Sequence, residues 1–362
     1  MLKEKLMERR LPELLVMNDG RAVRNIDDWR VRRRELIGLL SREEYGFTPA
    51  APARVTAEGE AMGDWETNTH AFADKAVQQV VHLSFDTPGG AFSFPIRLAV
   101  PKAIPKAPAF VYIGFRPDFP DRYLPVEEIL DHGFAVAAFC YQDVTSDSAD
   151  FDKLAALYPR DAKTGWGKIG MWAFAASRVL DYLETREDID AARVCVSGHS
   201  RLGKTALWCA AQDERFAMAV SNDSGCSGAA LSRGKIGETI ENITNRFPFW
   251  FCGNYQNWRG REYEAPFDQH MLLALVAPRK LYVNSAADDD WADPANEFLS
   301  CVAAGEAWRI QRVAGLVTPD AMPQLDMPLM DGGIGYHVRT GAHFHSRTDW
   351  GYQMGFRERF HI

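Results

Sequence analysis

The stretch that most narrows what this chain can fold into is VCVSGHSRLGKTALW, residues 194–208. Its opening apolar run is of the kind buried on both faces within a parallel sheet. Gly198 permits a sharp turn, and RLGKTALWCAAQ then reads as a helix. A serine at a strand-to-helix turn is lifted above the sheet edge, the placement a nucleophile elbow needs. The second glycine, Gly203, comes one residue later than in GxSxG and lets the helix pack closely on its strand. Without its strand and helix flanks the motif would mean little.

The rest of the chain supplies a sheet for that turn. AVQQVVHLSF, FSFPIRLAV and AFVYIGF are strand-like runs separated by turn signals such as DTPGG. Beyond about Leu124, helix-length segments alternate with short apolar runs: FAVAAFC, ARVCVS, FAMAVSN, KLYVNS and GIGYHV. That alternation implies a parallel sheet covered by helices on both faces. Antiparallel strands first and a βα series afterwards is the order of an α/β-hydrolase. The expected fold is therefore α/β, a three-layer αβα sandwich with a mostly parallel central sheet. Ahead of it, NIDDWRVRRRELIGLLSREEYG offers Asn25 or Asp27 as N-cap, with Trp29, Leu36, Leu39 and Leu40 at helical spacing. FTPAAPA breaks that pattern. The expected division is a helical extension over residues 1–50 and a catalytic domain over 51–362.

Composition matters mainly for what it excludes. A formal net charge of -8 on 362 residues argues against general affinity for nucleic acid or anionic membranes. No apolar run approaches the roughly 18 residues needed to span a bilayer. MLKEKLMERR carries charges where a secretory leader has its apolar region, so a cytoplasmic location is expected, with a secreted protein trimmed of its leader as the alternative. The six cysteines are scattered without CxxC or Cys/His spacing. Reduced, packed thiols are expected, with no metal and no cofactor; a single disulfide is the alternative, and no pair is marked for it.

Serine is a poor nucleophile near neutral pH and needs a base, whose tautomer an acid must hold. GYHVRTGAHFHSRTDW supplies His337, His343 and His345. His337 falls inside the apolar strand GIGYHV and reads as packed. His343 lies just past a glycine in the loop beyond that strand and is the expected base, with His345 as runner-up. The other histidines, His270 among them, read as structural. Acid candidates come from two strand ends, Asp288, Asp289 and Asp290 in SAADDDW and Asp223 in NDSGCSG. Arg201 adjoins the serine, and Lys204 follows one helical turn on, so both can face one pocket. A guanidinium there suits a developing oxyanion or a carboxylate product. The bland alternative is that these cations cap sheet carbonyls or pair with nearby acids. Phe249, Trp250, Phe251, Tyr255 and Trp258 in FPFWFCGNYQNW form either a sugar platform or a packed loop.

GHSRLGK, NDSGCSGAALSRGKIGE, DQHMLLALVAPR, SAADDDWADP and GYHVRTGAH, in that order, resemble the bacterial glucuronoyl esterases, the fifteenth carbohydrate esterase family. The resemblance runs from about Val80 to the C-terminus. His199 stands where the family signature Gly-Cys-Ser-Arg-x-Gly-Lys has cysteine. The resemblance implies a metal-free serine hydrolase acting on esters of 4-O-methyl-glucuronic acid, such as those joining xylan to lignin alcohols. It matches Ser200 to the nucleophile, His343 to the base and Arg201 to an oxyanion-hole arginine. Lys204, Glu238 and Trp291 match positions that hold the sugar hydroxyls; unaided, the last two read as a helix-surface carboxylate and a core aromatic. For the acid, Asp289 is favoured, because Asp223 is shorter than the glutamate of fungal members; Asp223 is kept as a supporting acid. A carbohydrate partner and a monomer or weak homo-oligomer are expected. The rivals are an acetyl xylan esterase with the same triad, a prolyl oligopeptidase-type peptidase, for which no propeller is present, and a decayed binding relative.

Overall fold

The computed structural model describes residues 1–61 and 72–362. Among them, nine strands form one sheet: β1 (Thr56–Ala61), β2 (Ala76–Thr87), β3 (Gly90–Pro101), β4 (Ala107–Gly114), β5 (Ala135–Cys140), β6 (Ile189–His199), β7 (Met218–Asn222), β8 (Lys280–Ala286) and β9 (Ile334–Arg339). Their order is β1-β2-β3-β5-β4-β6-β7-β8-β9. β1, β2, β3 and β5 pair antiparallel, and every pair from β5 to β9 is parallel. β4, β5, β7 and β9 are buried at every residue, as a sheet covered on both faces requires. After β4 the chain steps outward to β5 and then crosses back to β6 on the other side of β4. Such a reversal opens a crevice at the carboxyl ends of the strands, and β6 ends there.

Two apolar layers flank the sheet. One contains Val126, Ile129, Trp350, Met354 and Phe356, from the helices Val126–Asp131 and Arg347–Phe360. The other gathers the helices Lys168–Leu183, Arg201–Gln212 and Pro294–Ile310. This is the αβα sandwich, and the strand-like runs of the sequence all lie in it. β1 is the addition: TAEGEA has no apolar alternation to mark it.

The N-terminal segment belongs to the same core. Asn25, not Asp27, caps the helix Ile26–Leu40, its side chain accepting the N–H groups of Asp27 and Asp28. Trp29, Leu36, Leu40 and Tyr45 pack in the layer that holds the Arg201–Gln212 helix. Tyr45 stacks on Trp208 with centroids 4.5 Å apart and donates its hydroxyl to Ser227 O at 2.9 Å. Burial pushes the neighbouring Glu44 up to about 8 while Gln269 donates to it. The division near residue 50 therefore separates no core of its own. All six cysteines are free and buried, and burial pushes thiols such as Cys195 up to about 12.

Candidate active site

β6 delivers the chain to Ser200, which sits at φ 58° and ψ -125°. A non-glycine residue in such a region costs on the order of 1–3 kcal/mol and persists only where its surroundings impose it. Here Ser200 N–H is held by Asn222 O at 2.8 Å. A Cβ on Gly198 would lie 2.1 Å from Leu202 O, so glycine is required there by close approach, and one on Gly203 would be tight at 3.1 Å from Ser224 Cβ. The helix Arg201–Gln212 starts immediately, and its opening N–H groups and dipole face whatever binds at Ser200.

Ser200, Arg201, Lys204, Asp223, Glu238, Asp289, Trp291 and His343 line a single cavity of about 330 Å³, with Arg246, Phe247 and Trp250 on its wall. The structure thus brings all eight sequence-predicted site residues together. His343 comes from the loop between β9 and the helix Arg347–Phe360; its Nδ1 lies 2.6 Å from Asp289 Oδ2 and its side chain is 42% exposed.

The two acids sit in opposite environments. Burial raises Asp289, but the hydrogen bond and charge of His343 outweigh it and hold the carboxylate below its usual range. Asp223, at φ 44° just past β7, is 1% exposed. Burial pushes it well above its usual range, reinforced by Glu297 and Asp349 and opposed by Arg339. Its Oδ2 accepts Phe344 N–H at 3.2 Å and pairs with Arg339 at 3.5 Å, while Oδ1 has no protein partner. The two carboxyls are thus pushed in opposite directions, Asp289 toward the ionised form and Asp223 toward the neutral one, a separation of the kind that marks division of roles. Among the described residues, Asp223, Asp289 and His343 also have metal-ligand spacing, their ligand atoms lying within 4.8 Å of one another.

The cations are less free than the sequence suggests. The Arg201 guanidinium pairs with Asp147 and lies 4.7 Å from the centroid of Trp250, whose Nε1 donates to Asp147 at 2.7 Å. Lys204 donates to Ser224 O. The bland alternative therefore describes one bond of each side chain. An ammonium keeps two further donors and a guanidinium four, so neither is used up. Burial lowers Lys204 and Glu238 opposes it. Glu238 is itself buried, ahead of the helix Ile240–Arg246, and its N–H donates to Trp291 O at 3.0 Å. Trp291 is 51% exposed. Glu238 is therefore not on a helix surface and Trp291 is not in the core.

His345, His337 and His270 sit inside the protein, whereas His82, His132 and His361 are exposed. His345 stacks on Trp350 with centroids 4.6 Å apart, and burial lowers it to about 4. His337 is enclosed in β9, bonded to Asp349 and Tyr282. His270 contacts Pro12 O at 3.1 Å. Of the aromatic run, Trp250 reaches the cavity and stacks on Phe247 at 3.9 Å, whereas Phe251 and Tyr255 are buried in the core. Sequence reasoning missed three neighbours. Asp147 lies in a polar loop that gives no signal. Glu297, pushed by burial up to about 7, bridges Ser285 Oγ at 2.6 Å and Gly225 N–H at 2.8 Å. Its signal was a carboxylate among apolar helix residues. His199, centroid 4.5 Å from that of His343, was noted only as a replaced cysteine.

Comparison with known proteins places this geometry. The family described as "Glucuronyl esterase, fungi" matches residues 83–311. "Carbohydrate esterase MZ0003", from an unknown prokaryotic organism, is 33% identical over 96% of this chain and 89% of its own length. The 4-O-methyl-glucuronoyl methylesterase of Hypocrea jecorina is 29% identical over 83% of this chain and 62% of its length. Among solved structures, the glucuronoyl esterase from Solibacter usitatus superposes with a TM-score of 0.85 at 34% identity, covering 96% of this chain and 97% of that one. Sequence match and superposition agree, and the chain belongs to the glucuronoyl esterases of carbohydrate esterase family 15, carboxylic ester hydrolases of α/β-hydrolase fold.

Proposed function

We propose that this protein hydrolyses esters of glucuronic acid or its 4-O-methyl ether, as in xylan-derived or lignin-carbohydrate fragments, through an acyl-enzyme on Ser200. The carrying observation is that one cavity gathers Ser200, a His343–Asp289 pair and a polar Lys204–Glu238 wall. In this reading Ser200 Oγ attacks the ester carbonyl as His343 takes its proton. Asp289 holds Nδ1–H, so the other ring nitrogen is the one that accepts. The tetrahedral oxyanion is met by the first N–H groups of the Arg201 helix and by the guanidinium behind them. His343 then returns the proton to the departing alcohol oxygen, and water repeats the sequence on the acyl-enzyme. Lys204, Glu238 and Trp291 hold the uronate ring on the acyl side. Residues 1–50 act as a structural extension of the 51–362 catalytic region, and the setting is a monomer or weak homo-oligomer in the cytoplasm. Among the described residues no helix is long and apolar enough to cross a membrane.

An acetyl xylan esterase would use the same triad but has no acyl-side sugar for Lys204 and Glu238 to hold. Replacing Lys204 by Met or Glu238 by Gln is expected to lower kcat/KM on a benzyl glucuronate ester about 10- to 100-fold, the worth of a hydrogen bond to a charged group. The rate on p-nitrophenyl acetate should stay within about threefold, because acetate reaches neither group. Equal losses on both substrates would remove the uronate reading.

A further inference from the structure

We propose that Arg339 is a positioning residue for the esterase reaction: its guanidinium fixes the course of residues 340–344, and with it the place of the His343 imidazole, by gripping the backbone on either side. The proposal rests on the reading of His343 as the base. Arg339 is the last residue of β9 and is 6% exposed. Its Nη2 donates to Ala342 O at 2.9 Å and to Phe344 O, the carbonyls immediately before and after His343. Nη1 donates to Thr340 O at 3.2 Å. Nε donates to both oxygens of Asp349, at 3.1 and 2.9 Å. Asp349 is anchored in turn by His337 Nε2 at 2.8 Å, Ser346 N–H at 2.7 Å and Ser346 Oγ at 2.8 Å. From the other side Asp223 accepts Phe344 N–H. The loop is therefore tied from the end of β9 to the cap of the helix Arg347–Phe360.

The imidazole itself has far less support. Its hydrogen-bonded anchor is Asp289, on a half-exposed side chain, so the backbone beneath must carry its position. Burying a guanidinium is costly, and it is tolerated here because a rigid planar fork satisfies three carbonyls and a carboxylate at once. A lysine offers a compact point charge with no fork and cannot span the same acceptors. A shift of about 1 Å in a catalytic group can lower turnover on the order of 100-fold.

The test compares wild type, Arg339→Lys, Arg339→Ala and His343→Ala on a benzyl glucuronate ester, with folded fraction from near-ultraviolet circular dichroism. Arg339→Lys is expected to fold and to lose kcat about 30- to 100-fold with KM within about threefold. Arg339→Ala should lose more and recover at least about fivefold when millimolar guanidinium ion is supplied, because the ion can reoccupy the fork's place. Arg339→Lys turnover within about threefold of wild type would overturn the proposal. So would failure of Arg339→Lys to fold, or a loss in Arg339→Ala that guanidinium leaves untouched, since both mark a purely structural role. If His343→Ala alone retains wild-type turnover, the base assignment falls instead and takes the proposal with it.

Discussion

Ser200→Ala is expected to lower kcat on a benzyl glucuronate ester by about 10⁴- to 10⁶-fold while the melting temperature changes little. The change removes only Oγ, and the backbone at φ 58° is imposed by neighbours that alanine leaves in place: the bond to Asn222 O and the close approach of Gly198 to Leu202. What remains is binding by the cavity wall and by the N–H groups opening the Arg201 helix, and such groups alone retain roughly 10³- to 10⁴-fold catalysis over water. His343→Ala should lose nearly as much, because a nucleophile and its base act as a unit and their losses do not add. A fluorophosphonate that labels wild type and spares Ser200→Ala would place the reactive hydroxyl. Labelling of both, or activity within about tenfold of wild type, would remove Ser200 from the reaction.

The second large effect separates the two acids. Asp289→Asn is expected to lose about 10⁴-fold in kcat, because an amide donates toward Nδ1 and selects the wrong imidazole tautomer. Asp223→Asn should lose about tenfold or less. Its carboxyl is pushed toward the neutral form by burial and by Glu297, so a neutral amide of the same shape disturbs the local charge little. The amide oxygen can still accept Phe344 N–H in place of Oδ2. Thermal melting checks that neither variant has lost its fold. If the order of the two losses reverses, the acid is Asp223, and Asp289 is left as a supporting partner of His343.

Much of this was legible in the sequence, for identifiable reasons. The elbow could be read because its glycines, its strand and its helix are contiguous in the chain. The parallel strands could be read because both their faces are buried, which leaves unbroken apolar runs. β1 could not, because an edge strand with glutamates lacks that mark. The choice between His343 and His345 depended on a turn that spacing does not encode. In an extended chain the two would share a side; here one faces the cavity and the other stacks on Trp350. Glu238 and Trp291 needed the family resemblance, since the cavity assembles them from loops more than 50 residues apart. Asp147 was invisible because the two partners that tie it to the cavity, Arg201 and Trp250, are distant in sequence.

The shared core of the N-terminal segment sets a timetable for biosynthesis. The Ile26–Leu40 helix leaves the ribosome before the later segments it packs on, with its apolar stripe bare. Tyr45 must wait for Ser227, 182 positions downstream, and Glu44 for Gln269, 225 positions downstream. At translation speeds of about 5–20 residues per second, that is a delay of roughly 10–35 s or more before either contact can form. The helix is thus made well before the segments that cover it, and the nascent chain carries an unsheltered sticky surface until those segments have been synthesised.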